Sequence, residues 1–203
     1  MKLLNLTQGT NEWREYRRHA VTATDFATIA ANAGLCDNIY NTSIDKLIDD
    51  KLSGKVVPDN PYFKLGRDNE EMLLSKYNGI NVIPSEVACY EYIDNFGDIW
   101  LRPDIMASFD GRDDVLQSII EIKSSTKDKS RIQEQLDYYR FQVYHQMIIA
   151  GYTNGSLIIG HFTKQFKFTD YTEIPIYLDI EYNKWLDLCN NFLEQLNERK
   201  KGI

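Results

Sequence analysis

The segment Ser118–Ser124, Ser-Ile-Ile-Glu-Ile-Lys-Ser, constrains this chain more than any other. A short β-branched run with polar ends reads as a largely buried strand. Side chains alternate along a strand, so Glu121 and Lys123 share one face while Ile120 and Ile122 share the other. The resulting charge pair is either a solvated surface pair, which adds little to stability, or part of a site. Upstream, Asp110-Gly111 opens a polar stretch that ends near Gln117, a pattern that suits a hairpin returning the chain antiparallel. Such a turn brings Asp110 beside Glu121. Two carboxylates at one point repel, and one of them takes up a proton unless a hard divalent cation lies between them, so the Asp/Glu/Lys grouping points to Mg²⁺ or Mn²⁺. Lys123 adds a positive point charge suited to orienting or deprotonating an attacking water.

The chain has 203 residues, 43% of them hydrophobic and 26% charged, which is ordinary for one globular domain spanning 1–203 with a sizeable core. No apolar run approaches the roughly 20 residues of a membrane span, and the apolar part of the N-terminus is too short for a signal peptide. The expectation is a cytoplasmic protein. Cys36, Cys89 and Cys189 are widely separated, which indicates buried thiols and neither a disulfide framework nor a metal cluster. A net charge of −7 argues against a protein that simply coats nucleic acid. It leaves room for a local basic lining, for which Arg14, Arg17, Arg18, Lys123, Lys127, Lys129, Arg131 and Arg140 are the candidates.

Helical patterns are expected over Asn11–His19 and Thr24–Ala33, with Thr22-Ala23-Thr24-Asp25 as start signals and Gly34 as a stop. A helix N-terminus beside a guanidinium is a ready phosphate site, which Arg17 and Thr24 could form; Thr24 could equally be no more than a cap. Ser43–Leu52 reads as a short helix and Ser53–Asn60 as a loop. Over Pro61–Tyr77, Phe63, Gly66, Leu73, Leu74 and Tyr77 form an apolar stripe into which Glu70 intrudes. An inward carboxylate needs a partner, either a basic side chain or a metal. Val82–Ala107 reads as two strands around the turn Asp94–Asp98. Lys127–Gly151 is helical, with Gln142 and Gln146 on an otherwise apolar face that also holds Tyr139 and Val143. Ser156–Phe162 and Glu173–Leu178 read as strands and Glu181–Lys200 as a closing helix. His19, His145 and His161 show no ligand spacing.

Taken together, Ala107-Ser108-Phe109-Asp110-Gly111 followed by Ile120-Glu121-Ile122-Lys123 resembles the D…E-x-K core of the PD-(D/E)XK nucleases. Within that superfamily the chain is similar to the phage lambda exonuclease and YqaJ-like viral recombinase group. Leu65-Gly66-Arg67-Asp68-Asn69-Glu70 resembles its G-x-x-x-E helix, Gln142-Val143 its Gln motif, and Trp13, Arg17 and Val21–Thr24 its 5′-phosphate pocket, with Ser108 as a further hydroxyl. The resemblance implies an α/β restriction-endonuclease-like fold, a small mixed central sheet flanked by helices. It implies two Mg²⁺ ions, with Mn²⁺ able to replace them, held by Asp110, Glu121, the Ile122 carbonyl and Glu70, and a catalytic set completed by Lys123 and Gln142. It further implies 5′→3′ digestion of linear double-stranded DNA ends to 3′ overhangs, a homotrimer, a single-strand annealing partner and a bacterial or phage-infected host. Asp104, in a literal Pro103-Asp104, competes with Asp110 as the partner of Glu121, because a hairpin centred on Arg112 would set it there. The Ser-x-Asp-Gly context favours Asp110. An endonuclease of the same superfamily and a catalytically silent binding module are the alternatives.

Overall fold

A computed structural model describes residues 1–55 and 58–202. The expected loop Ser53–Asn60 therefore lies partly outside the described residues, at 56–57. The chain begins with a short strand β1 (Lys2–Leu3) and three helices, α1 (Asn11–Arg18), α2 (Ala23–Asn32) and α3 (Ile44–Ser53). Helix α4 (Pro61–Leu74) follows, then β2 (Val82–Pro84), β3 (Val87–Ile93), β4 (Ile99–Ser108), β5 (Gly111–Asp113) and β6 (Ser118–Ser125). The order closes with α5 (Lys129–Ala150), β7 (Asn154–Phe162), β8 (Phe168–Tyr177) and α6 (Tyr182–Lys201).

The strands form two sheets, β1-β3-β4 and β2-β5-β6-β7-β8. All pairings are antiparallel except β6 with β7, which run parallel across the α5 connection. This is a mixed α/β fold with its central sheet between helices. Val82–Ala107 holds three strands where the sequence pattern indicated two, because β2 crosses to pair with β5 in the second sheet. Strand β8 is also longer than its apolar pattern, since its outer half is exposed and needs no apolar alternation.

The faces of β6 divide the core. Ile120 and Ile122 pack with Leu65 and Leu73 of α4 and with Ile158 of β7. Ile119, one residue out of phase, joins Val143 and Met147 of α5 and Leu157 and Ile159 of β7 in the other cluster. The sheet is thus held between α4 and α5, and Glu121 and Lys123 lie on the α5 side. Gly111 permits the α4 contact, because a Cβ there would stand 2.7 Å from Leu74 Cδ1. In α4 the buried residues are Leu65 and Leu73, whereas Phe63 is 46% exposed, contrary to the stripe read from the sequence. Phe63 instead lines the cavity described below. Cys89 and Cys189 are buried as expected, while Cys36 is only half-buried.

Candidate active site

The hairpin between β5 and β6 pairs Gly111 with Ile120 and Asp113 with Ser118. Asp113 holds this turn, its Oδ1 accepting from the backbone N–H groups of Val115 and Leu116. One step beyond Gly111 the register sets Asp110 against Glu121, and Asp110 Oδ2 accepts from the Ile122 N–H at 2.8 Å. A strand residue turns its N–H and C=O to the same side, so the Ile122 carbonyl faces the same way. Asp104 is elsewhere. Its carboxylate forms a bidentate pair with Arg102 at 2.9 and 3.0 Å, while its carbonyl accepts from Val21 N–H. Asp104 lies where the β3–β4 register shifts between Cys89 and Tyr90, on a strand of the other sheet from β6.

These groups line a cavity of about 470 Å³, shared by Asp110, Glu121, Ile122, Lys123, Glu70, Arg17, Thr24, Ser108 and Gln146. Glu121 is buried and held at both oxygens. Gln146 Nε2 donates to Oε2 at 2.7 Å, and Lys123 Nζ donates to Oε1. Lys123 also lies over the Tyr139 ring, 5.4 Å from its centroid. Burial and then the Glu121 carboxylate push Asp110 well above the usual carboxylate range, with Glu70 adding to the shift. Glu70 is raised as well, by burial and then by Glu121. Burial works against the charge of Lys123, but Glu121 and Asp110 outweigh it and hold the ammonium above its ordinary value.

Gln142 is the one predicted site residue that the fold keeps out of the cavity. It is 4% exposed on the same face of α5 as Gln146, but four residues earlier, about 6 Å along the helix axis. Gln146, the weaker candidate by sequence, reaches both Glu121 and the Ser108 carbonyl, the latter at 3.0 Å.

A second wall of the cavity comes from α1 and the start of α2. Arg17 stacks on Trp13 with its guanidinium carbon 4.3 Å from the ring centroid, and no carboxylate among the described residues lies within ion-pair range of it. Burial lowers its pKa from the ordinary value, with Asp25 acting in the opposite direction. Trp13 Nε1 donates to Ser108 Oγ at 2.9 Å. The cap of α2 is Thr22, not Thr24: Thr22 Oγ1 accepts from Asp25 N–H, and the Asp25 carboxylate accepts in turn from Thr22 N–H. Thr24 is left exposed within the first turn. Of the basic residues considered as a lining, only Arg17 and Lys123 line the cavity, while Arg18, Lys129 and Arg140 pair with Glu15, Asp170 and Asp137. His145 is a core residue, accepting at Nδ1 from Trp185 Nε1 and donating from Nε2 to the Met106 carbonyl.

The donor set suits a hard divalent cation. Asp110, Glu121 and Glu70 offer carboxylate oxygens, and Gln146 Oε1 and Ser124 Oγ are buried at the cavity without a hydrogen-bond partner. Among the described residues no three His, Cys, Asp or Glu side chains converge as a ready metal cluster. Asp110 and Glu121 converge as a pair, and the Lys123 ammonium neutralises one of them.

Comparison with known proteins bears on the fold and the family. The fold is that of an alkaline exonuclease from Laribacter hongkongensis, at a TM-score of 0.63 and 19% identity over 94% of each chain. A phage-related exonuclease from Haemophilus somnus 129PT is also similar, with a TM-score of 0.57 and 15% identity over 88% of this chain and 92% of that one. No match is found among curated proteins. The model of the YqaJ-like viral recombinase domain matches residues 12–153, and the chain belongs to that family. It is a nuclease, a hydrolytic enzyme of that family.

Proposed function

We propose that the protein, acting through a single domain over 1–203, digests linear double-stranded DNA from its ends in the 5′→3′ direction with Mg²⁺. The 3′ overhangs left behind would feed recombination by strand annealing. The observation that carries the reading is the convergence of Asp110, Glu121 and Lys123 in one cavity that Arg17 also lines, an arginine with no carboxylate partner among the described residues. A hydrolytic centre beside a cationic pocket is what an enzyme needs to hold a strand terminus while it cuts the next phosphodiester. The alkaline exonuclease of similar fold has also been solved in complex with dAMP, and a nucleoside monophosphate is the product such a reaction releases.

In this reading Asp110, Glu121 and the Ile122 carbonyl hold Mg²⁺, with Glu70 at the outer side. Bound there, a divalent cation would supply Lewis-acid charge for phosphodiester hydrolysis. The chain's own groups do the rest. Gln146 fixes the plane of the Glu121 carboxylate through its Nε2 donor. Lys123, held as the ammonium, orients the attacking water and places positive charge beside it. Arg17, Thr24 and Ser108 bind the terminal 5′ phosphate, with Trp13 holding both Arg17 and Ser108 in place. A homotrimer and a single-strand annealing partner complete the proposal, as does a site of action in the cytoplasm of a bacterium or phage-infected host.

The test is digestion of linear duplexes labelled separately at each end, with Mg²⁺ and with chelator, alongside covalently closed circles. Release of 5′-labelled mononucleotides, dependent on ends and Mg²⁺, is the expected result. Cutting of closed circles would instead identify an endonuclease, and binding without turnover a silent module. Light scattering at micromolar concentration tests the trimer.

A further inference from the structure

The C-termini of α1 and α3 cap each other. Arg18, the last residue of α1, donates from Nε to the Lys51 carbonyl at 3.1 Å and from Nη2 to the Leu52 carbonyl at 2.7 Å. Lys51 answers from α3, its Nζ donating to the Arg17 carbonyl at 2.7 Å and the Ala20 carbonyl at 2.8 Å. The same ammonium lies 2.7 Å from Asp25 Oδ2 in the first turn of α2. That oxygen also accepts from Thr22 N–H at 2.9 Å and Thr22 Oγ1 at 2.7 Å. An ammonium has three N–H donors, and all three are engaged here.

Lys51 and Asp25 are 9% and 7% exposed. An ion pair this deep is an expensive way to hold helices together, and a pair of apolar residues of similar volume commonly serves stability as well or better. What an apolar pair lacks is the ability to fix two backbone carbonyls and a helix cap at once. The groups fixed here are the Arg17 carbonyl, the Ala20 carbonyl and the Thr22 cap. They bracket the short connection between Arg17, at the end of α1, and Thr24, at the start of α2, the two residues that this connection brings to the cavity wall.

We propose that Lys51 is a positioning residue for recognition of the 5′-terminal phosphate: from a third helix it sets the spacing and orientation of Arg17 against the first turn of α2. The inference rests on the reading of Arg17 and Thr24 as phosphate ligands. Lys51 itself contacts no substrate, since its three donors face the protein.

The experiment compares KM and kcat on linear duplexes with 5′-phosphate and 5′-hydroxyl ends for three proteins: the unmodified chain, Lys51→Met, and the double variant Asp25→Asn/Lys51→Met. The double variant removes both charges together and keeps an acceptor for Thr22. The unmodified chain should prefer phosphorylated ends. Both variants should raise KM on phosphorylated ends roughly tenfold or more, the scale of a lost charge-assisted contact. Their kcat should move far less, so that the preference collapses. Circular dichroism and thermal melts establish that the variants are folded. Retention of the end preference in a folded variant would overturn the proposal, as would an equal loss on both kinds of end. If neither variant folds, Lys51 serves stability alone and the positioning role is rejected. Absence of any preference in the unmodified chain would sink the phosphate-pocket reading itself.

Discussion

Gln146 holds Glu121 from one side, Nε2 to Oε2 at 2.7 Å, while Lys123 donates to the opposite oxygen of the same carboxylate. A buried carboxylate gripped at both oxygens cannot rotate, so the direction in which it presents charge is set before anything binds. Removing an amide that orients a ligating group lowers affinity or activity by about 10- to 100-fold. Gln146→Met should therefore reduce the Mg²⁺-dependent digestion rate by that amount. Gln142→Met, a turn away, should leave it within about threefold, and a rate assay on linear duplex with both variants decides between the two amides.

Asp110→Asn, Glu121→Gln and Lys123→Met should each abolish turnover while the chain stays folded. Full activity in any of them on linear duplex with Mg²⁺ would contradict the assigned centre.

Asp110 also makes the metal-free protein sensitive to pH. Its folded-state pKa lies above the unfolded value of about 4, so the folded chain keeps a proton that the unfolded chain releases. Stability from this group is present below about pH 4 and is lost as pH rises through the folded pKa. In chelator, Asp110→Asn should melt above the unmodified chain by a margin that widens with pH, because the neutral side-chain amide introduced there keeps an oxygen to accept from Ile122 N–H. Added Mg²⁺ should narrow the margin, and thermal melts across pH with and without the metal report both effects.

His145 acts in the opposite direction. Burial lowers its pKa from 6.5 to about 4, against the bond to the Met106 carbonyl, which favours the charged ring. Stability from this group is complete above pH 6.5 and is lost as pH falls toward 4. The loss is about 3 kcal/mol at most, the linkage energy of a shift of that size. Melting of His145→Gln should show a shallower acid slope than the unmodified chain between these limits.

Arg17→Ala removes the guanidinium that has no carboxylate partner. Its expected effect is a loss of roughly tenfold or more in the preference for 5′-phosphorylated over 5′-hydroxyl ends, the scale of one charge-assisted hydrogen bond. Paired KM measurements on the two substrates check this, and equal treatment of both ends by the unmodified chain would refute the pocket.

The strand content around the site was legible because local chemistry dictates it. Ile119, Ile120 and Ile122 specify a buried strand, Asp110-Gly111 and the residues to Gln117 specify a return, and alternation places Glu121 with Lys123. Glu70 stood out as a carboxylate inside an apolar stripe, and it does line the cavity. The choice of Gln146 over Gln142 and the role of Lys51 were not legible. Periodicity shows which amides share a helix face but not which turn lies level with a strand residue. A lysine near a helix end reads as solvated until the partner carbonyls of another helix are known. Thr22 and Thr24 both suit a cap, and the choice falls to Thr22 because Asp25, three residues on, completes the capping box.

The sequence alone therefore determined the β6 strand, the return that leads into it and the family to which these motifs belong, since these follow from residue type and spacing along the chain. Tertiary structure alone decided which amide grips Glu121 and how α3 reaches back to hold Arg17 and the start of α2. Those are contacts between segments far apart in the chain, and their geometry depends on how helices are packed against sheets, which no local spacing encodes.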